Sequence, residues 1–306
     1  DTGPAPSSDD TRWLAGQGKR FVRFSLFTYA VGLLGFFSDM GFANLALAWM
    51  LTTEDVALFA TAFKLSFMTI TLGLAGFRGL YQPVFARLRI RNDPEQLRRA
   101  FSIVTRGQLI VLLPAGMGLM VMCGDYIPLL YGNEFRPAVP VAWVLVALMY
   151  ATAVFNIPGI ILMVDEQYRA TFWAQSIPMV AAPVFLLTAV SSGLLAAAVV
   201  FGGAGLARAL LTYAMCRRRY RLRFPWVFAA RIGAVSLAMA STLGVIRSWW
   251  ATTPVEAVTL TVLGMVLVCV GLRWTHALGP DEVDLLRRSR LPGQTWLLAL
   301  LVVRDA

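Results

Sequence analysis

Apolar residues in this chain come in long unbroken runs rather than in alternation or along one helical face. Residues 24–51, 56–86, 100–122 and 138–164 are four such runs, each long enough to cross a hydrocarbon core at helical rise. Residues 170–207 form a fifth without a formal charge. It exceeds one crossing, so the pattern predicts a break at Ser191-Ser192-Gly193 and two helices. Residues 227–250 and 255–274 follow as two shorter runs. The expected fold is therefore all-α, a polytopic membrane helical bundle of about eight transmembrane helices. A barrel is excluded, because its strands would alternate with period two.

The polar punctuation agrees with this division. Residues 1–19 form a flexible polar lead-in, residues 20–216 hold six of the crossings, residues 217–275 a basic loop with two more, and residues 276–306 a charged tail ending in a short apolar stretch. Thr52-Thr53-Glu54-Asp55 offers capping side chains to the second run, and Asn92-Asp93-Pro94-Glu95 opens a short helix with Pro near its first turn. Residues 124–137 read as a partly polar connector, and residues 249–254 as an interfacial turn with tryptophan anchors. Pro114, Pro158, Pro178 and Pro183 can kink their crossings, and Gly202, Gly203, Gly205 and Ala209 give the sixth a small-residue packing face.

Composition changes the picture by excluding a soluble domain. Hydrophobic residues make up 58% of the chain, charged residues 14%, and mean hydropathy is +0.67; a soluble domain carries about 25% charge. The net charge of +10 would suit a nucleic-acid binder, but the arginines fall between the apolar runs, as juxtamembrane charges do. No nucleic-acid partner is expected, and membrane lipids are. Alternate connections carry nearly all the cations: Lys19, Arg20 and Arg23; Arg87, Arg89, Arg91, Arg98 and Arg99; Arg169; the arginines of 217–223; and Arg273, Arg287, Arg288 and Arg290. The intervening connections carry only Arg136 and Arg247. Positive charge stays in the cytoplasm, so both termini are expected there.

The candidate chemistry lies in three ionisable residues within the runs: Asp39, Lys64 and Arg78. Such residues cost roughly 2.5–3.5 kcal/mol on insertion scales, so they face protein or water. Lys64 lies about 13 Å, and Asp39 near 18 Å, from the outer ends of their helices. Substrate contact and a structural Asp39–Lys64 ion pair remain open. Arg78 either faces a cavity or reaches the interface. Arg106 and Arg208 lie nearer basic ends, where snorkelling is expected. Asn44 and Asn156 are expected to bond between helices. Cys123, Cys216 and Cys269 are far apart and His276 stands alone, so no metal, cofactor, disulfide or catalytic residue is expected.

Several phrases carry a family likeness. Residues 54–65 (EDVALFATAFKL), residues 80–86 (LYQPVFA) followed by residues 93–99 (DPEQLRR), and above all residues 129–138 (LLYGNEFRPA) resemble the polysaccharide flippases of the multidrug/oligosaccharidyl-lipid/polysaccharide exporter superfamily. The likeness covers residues 20–275 or so. It implies two six-helix lobes around a central cavity with two helices after them. This chain corresponds to the second lobe and the terminal pair, a C-terminal portion or half-transporter whose first lobe lies elsewhere. The implied substrate is a lipid diphosphate-linked oligosaccharide, moved from inner to outer leaflet by alternating access. Its headgroup, with about two negative charges, gains roughly 4.6 kcal/mol per 100 mV on moving outward. No bond is broken, so no enzyme chemistry is implied. Alternatives are a cation-coupled drug or metabolite exporter of the same fold, and a membrane enzyme or scaffold of surface polysaccharide assembly.

Overall fold

A computed structural model describes residues 25–91, 93–249 and 254–274, with Gly18 and Val22. The lead-in, most of the 249–254 turn and the tail with His276 lie outside the described residues. The described part is helical throughout: α1 (Ser25–Phe36), α2 (Met40–Ala48), α3 (Thr53–Arg91), α4 (Pro94–Tyr131), a 3-10 turn (Asn133–Ala138), α5 (Val139–Val154), α6 (Ile157–Val164), α7 (Tyr168–Tyr220), α8 (Trp226–Trp249) and α9 (Pro254–Trp274). Six of these helices are long and apolar enough to cross a membrane, and the bent pair α1–α2 makes a seventh. The all-α polytopic bundle is thus confirmed.

The predicted break in the fifth run is present. Gly193 takes φ 81°, ψ 179° inside α7, a backbone region that side chains rarely enter. Phe185 and Phe201 flank it, and their ring centroids lie 5.6 Å apart. Sixteen residues of straight helix would span about 24 Å, so the chain reverses at Gly193 and α7 is a hairpin of two crossings. With α1–α2 as one crossing and α5–α6 as another, the path makes eight passes.

Two expectations about connectors are corrected. The motif at 92–95 does not begin a short separate helix: Asp93 caps α4 through the amides of Glu95 and Gln96 (2.9 and 3.0 Å), and the helix runs on to Tyr131. Likewise, residues 124–131 are helical rather than a polar connector. Asp125 is tolerated there because Arg247 of α8 neutralises it, with Nε 2.6 Å from Oδ2 and Nη2 3.0 Å from Oδ1, while Nη1 donates to the Val121 carbonyl at 2.8 Å.

Pro158 explains the break within the fourth run. Without an amide proton, and with its ring against the preceding turn, it separates α5 from α6 at Phe155–Asn156. Small residues set the helix spacing. A Cβ on Gly202 would lie 2.8 Å from the Leu148 side chain, and one on Gly116 2.8 Å from the Tyr150 ring. Gly203 has open space instead, so the expected packing face is narrower than four residues. Polar bonds between helices add register: Tyr150 donates to Thr69 at 2.9 Å, and Trp143 to the Met120 carbonyl at 2.9 Å.

The terminal pair packs on α4. Besides Arg247–Asp125, Tyr126 bonds Thr261 of α9, and the Arg106 guanidinium lies 5.4 Å from the Phe228 ring centroid. Arg106 therefore rests on α8 rather than reaching only toward the interface. At the Arg91 end, Asp165 gathers a second cluster. Tyr220 donates to it, Gln167 donates at 2.8 Å, and Arg219 stands 3.6 Å away. Arg98 of α4 donates to the Tyr220 carbonyl at 3.2 Å, tying that helix to the same corner.

Candidate functional site: a polar cavity in the lobe

Helices α3, α4, α5, α6 and α7 and the α1–α2 bend line a cavity of about 500 Å3. An aromatic wall closes its Thr53 side. Phe59 and Phe63 of α3 meet Phe201 at 5.9 and 5.7 Å, and Phe42 of α2 meets Phe185 at 6.2 Å. Phe63, Phe67 and Phe201 face the cavity from this wall. Polar lining lies further along, from Tyr81, Gln108, Thr152, Asn156 and Arg208. Asp39, Phe67 and Asn156 line the cavity and are also exposed, so it is open on their side.

Asp39 is in this lining, with a local task. The bend between α1 and α2 is 49°, and Asp39 stands at it as the N-cap of α2, its Oδ1 accepting the Gly41 amide at 2.8 Å. Among the described residues no ion pair joins it to Lys64, so the structural-bridge reading of the two is corrected. The reason is geometric: the carboxylate is turned along its own chain toward the amides that open α2.

Lys64 lies on α3 one residue after Phe63, a turn of about 100°, and is exposed. Phe67, Met68 and Leu72 extend the same open face along the helix. Arg78 is fourteen positions beyond Lys64 on α3, which returns it to within about 40° of the same face. Its side chain is outside the described set.

Arg208 requires the largest correction. Snorkelling was expected, yet the residue lies about 18 Å along α7 from Tyr220, beyond the reach of an arginine side chain. It folds into the cavity instead, and its Nε is enclosed without a hydrogen-bond partner. Gln108 of α4 is 2% exposed, with its Oε1 also enclosed and unpartnered. Asn156, expected to bond another helix, sits exposed at the α5–α6 break and lines the cavity. Asn44 likewise has its Oδ1 enclosed without a partner. Sequence reasoning missed Gln108, although a glutamine inside an apolar crossing is a usable signal.

Among the described residues no cluster of three or more His, Cys, Asp or Glu could hold a metal. Cys123, Cys216 and Cys269 are buried and unpaired. What the arrangement offers is an amphipathic chamber: an aromatic wall, amide and hydroxyl groups, one half-buried guanidinium and one carboxylate.

These features define a multi-pass helical membrane protein with a polar chamber in its lobe. A model of the family described as polysaccharide biosynthesis protein matches residues 10–140, from the lead-in to the start of α5. The lipopolysaccharide biosynthesis protein WzxC of Escherichia coli (strain K12) is 31% identical over 90 residues, which cover 29% of this chain and 18% of that protein. No solved structure matches. The chain is a helical membrane protein similar over these residues to proteins of polysaccharide biosynthesis, and the resemblance read from its sequence is borne out. The matched part spans less than a fifth of that curated relative.

Proposed function

We propose that the chain is the C-terminal part, or one half, of a transporter that moves a lipid diphosphate-linked oligosaccharide from the inner to the outer leaflet. The observation that carries this reading is Lys64, exposed and without an ion pair among the described residues, on a helix long and apolar enough to cross the membrane. An ammonium group does not face lipid tails at that depth, so the α3 face with Lys64 and Phe67 meets water or another lobe. A cation on a watered wall lowers the barrier for a diphosphate headgroup, and exposed aromatics offer stacking surfaces to sugar rings. The relationship to polysaccharide biosynthesis proteins supports the choice of a glycan cargo. No bond is made or broken, so the function is transport rather than catalysis.

In this reading the membrane is the bacterial inner membrane, the Arg91–Tyr220 end is cytoplasmic, and the partners are the lipid-linked glycan, surrounding lipids and a first lobe. Residues 20–216 form the second lobe, and residues 217–275 bring the terminal pair. Deleting the gene that encodes the chain tests this directly. Lipid-linked oligosaccharide should accumulate in the inner leaflet, out of reach of a membrane-impermeant lectin. Undiminished lectin labelling of the outer leaflet would overturn the proposal.

A further inference from the structure

Helix α7 ends at Tyr220 and α8 begins at Trp226, and the link between these two crossings carries a pattern of its own. Leu222 and Phe224 are buried while Arg221 and Arg223 are exposed, so one side of the link turns inward and the other outward. The inward side is held firmly. The Phe224 amide donates to the Tyr213 hydroxyl at 3.2 Å, and the Phe224 ring centroid lies 5.0 Å from that of Phe155 and 4.5 Å from that of Trp226. Arg217 and Arg218, in the last turn of α7, are exposed as well. We infer that Arg217, Arg218, Arg221 and Arg223 form a fixed cationic ledge that docks anionic phospholipid headgroups.

Depth along the bundle favours lipid as the occupant. From the Gly193 reversal to Tyr220 the second leg of α7 rises about 40 Å, against a hydrocarbon core of about 30 Å. The excess carries the last turns, with Arg217 and Arg218, to headgroup level. Trp226 and Val227, 62% and 70% exposed, open α8 beside them, and an exposed indole suits that interface. The ledge's charge is also uncommitted. Arg219 is engaged, 3.6 Å from Asp165 and with its guanidinium 5.7 Å from the Tyr220 ring centroid. Among the described residues no carboxylate pairs with the other four arginines of the stretch. At this level the acceptors on offer are phosphodiester oxygens, which match the arginine fork. None of the four arginines lines the chamber, so the inference rests neither on the chamber nor on the transport reading.

The test titrates the full protein in neutral detergent with phosphatidylglycerol or phosphatidylcholine and reads bound lipid by native mass spectrometry. Wild type should hold phosphatidylglycerol more tightly than phosphatidylcholine, and added salt should narrow the difference. The double variant Arg221→Gln, Arg223→Gln keeps Arg217, Arg218 and Arg219 to orient the chain. It should bind phosphatidylglycerol roughly tenfold more weakly, with phosphatidylcholine binding and melting temperature unchanged. Arg221→Lys with Arg223→Lys keeps the charge and should retain most of the affinity. Arg87→Gln with Arg99→Gln removes two exposed cations of α3 and α4 and should leave it as in wild type. Equal retention of the two lipids by wild type would overturn the inference, as would equal phosphatidylglycerol affinity in wild type and the 221/223 glutamine variant. So would an equal loss in the 87/99 variant, which marks diffuse positive charge, or an equal loss in the lysine variant, which marks a packing role.

Discussion

Individual polar side chains divide here into those that hold the backbone and those left facing space. Asp39 is of the first kind, since its carboxylate caps α2 at a bend inside the membrane. Asp39→Ala should cost about 1 kcal/mol, seen as a lower melting temperature, while Asp39→Asn should restore it by capping equally well. A charge-swapped Asp39→Lys, Lys64→Asp pair should not rescue either single variant; rescue would revive the ion-pair reading. Lys64 and Arg208 are of the second kind, and they were legible to different degrees. The cost of a charge in an apolar run singled out Lys64 and Asp39 from the sequence alone. Arg208 was misjudged because distance to a basic loop was counted along the chain, whereas the fold opens a chamber beside it. Which way a side chain turns depends on neighbouring helices that periodicity does not name.

Helices and their joints were largely readable, because membrane crossings are written in unbroken apolar runs and their stops in Gly, Pro and charge. The Gly193 hairpin and the Pro158 break both follow from single residues. Gly193→Ala should cost roughly 1–2 kcal/mol, because a Cβ is strained at φ 81°, with the loss read as a lower melting temperature. What escaped the sequence was the persistence of α4 through Gly124 and Asp125, since its reason lies in Arg247, far along the chain. Asp125→Asn or Arg247→Met should each lower stability by about 2 kcal/mol. That is less than the roughly 3–5 of a fully buried pair, because the Arg247 side chain is 33% exposed. Combining Asp125→Leu with Arg247→Met should recover part of the loss, as no buried charge then remains unpaired. An unchanged melting curve in the single variants would remove the bridge from the account of how the terminal pair docks.

At the scale of the molecule, α3 presents Lys64 and Phe67 on an open face, and the cavity that Phe67 also lines extends to Arg208. The Asp165–Tyr220–Arg98 corner, cytoplasmic in the proposed orientation, ties α4, α6 and α7 together. The sequence could show that the bundle crosses a membrane many times and that its charges are few. It could not show that those charges sit on an open face and in a chamber, which needs the helices in place. The central claim is that the open cationic face carries an anionic lipid-linked glycan across the bilayer. It is tested most directly by reconstituting the full protein into liposomes with a fluorescent lipid diphosphate oligosaccharide and following its arrival in the other leaflet by dithionite quenching. Wild type should equilibrate the lipid between leaflets, and Lys64→Gln should slow this at least tenfold while keeping the wild-type melting temperature. Equal rates in wild type, Lys64→Gln and protein-free liposomes would contradict the account.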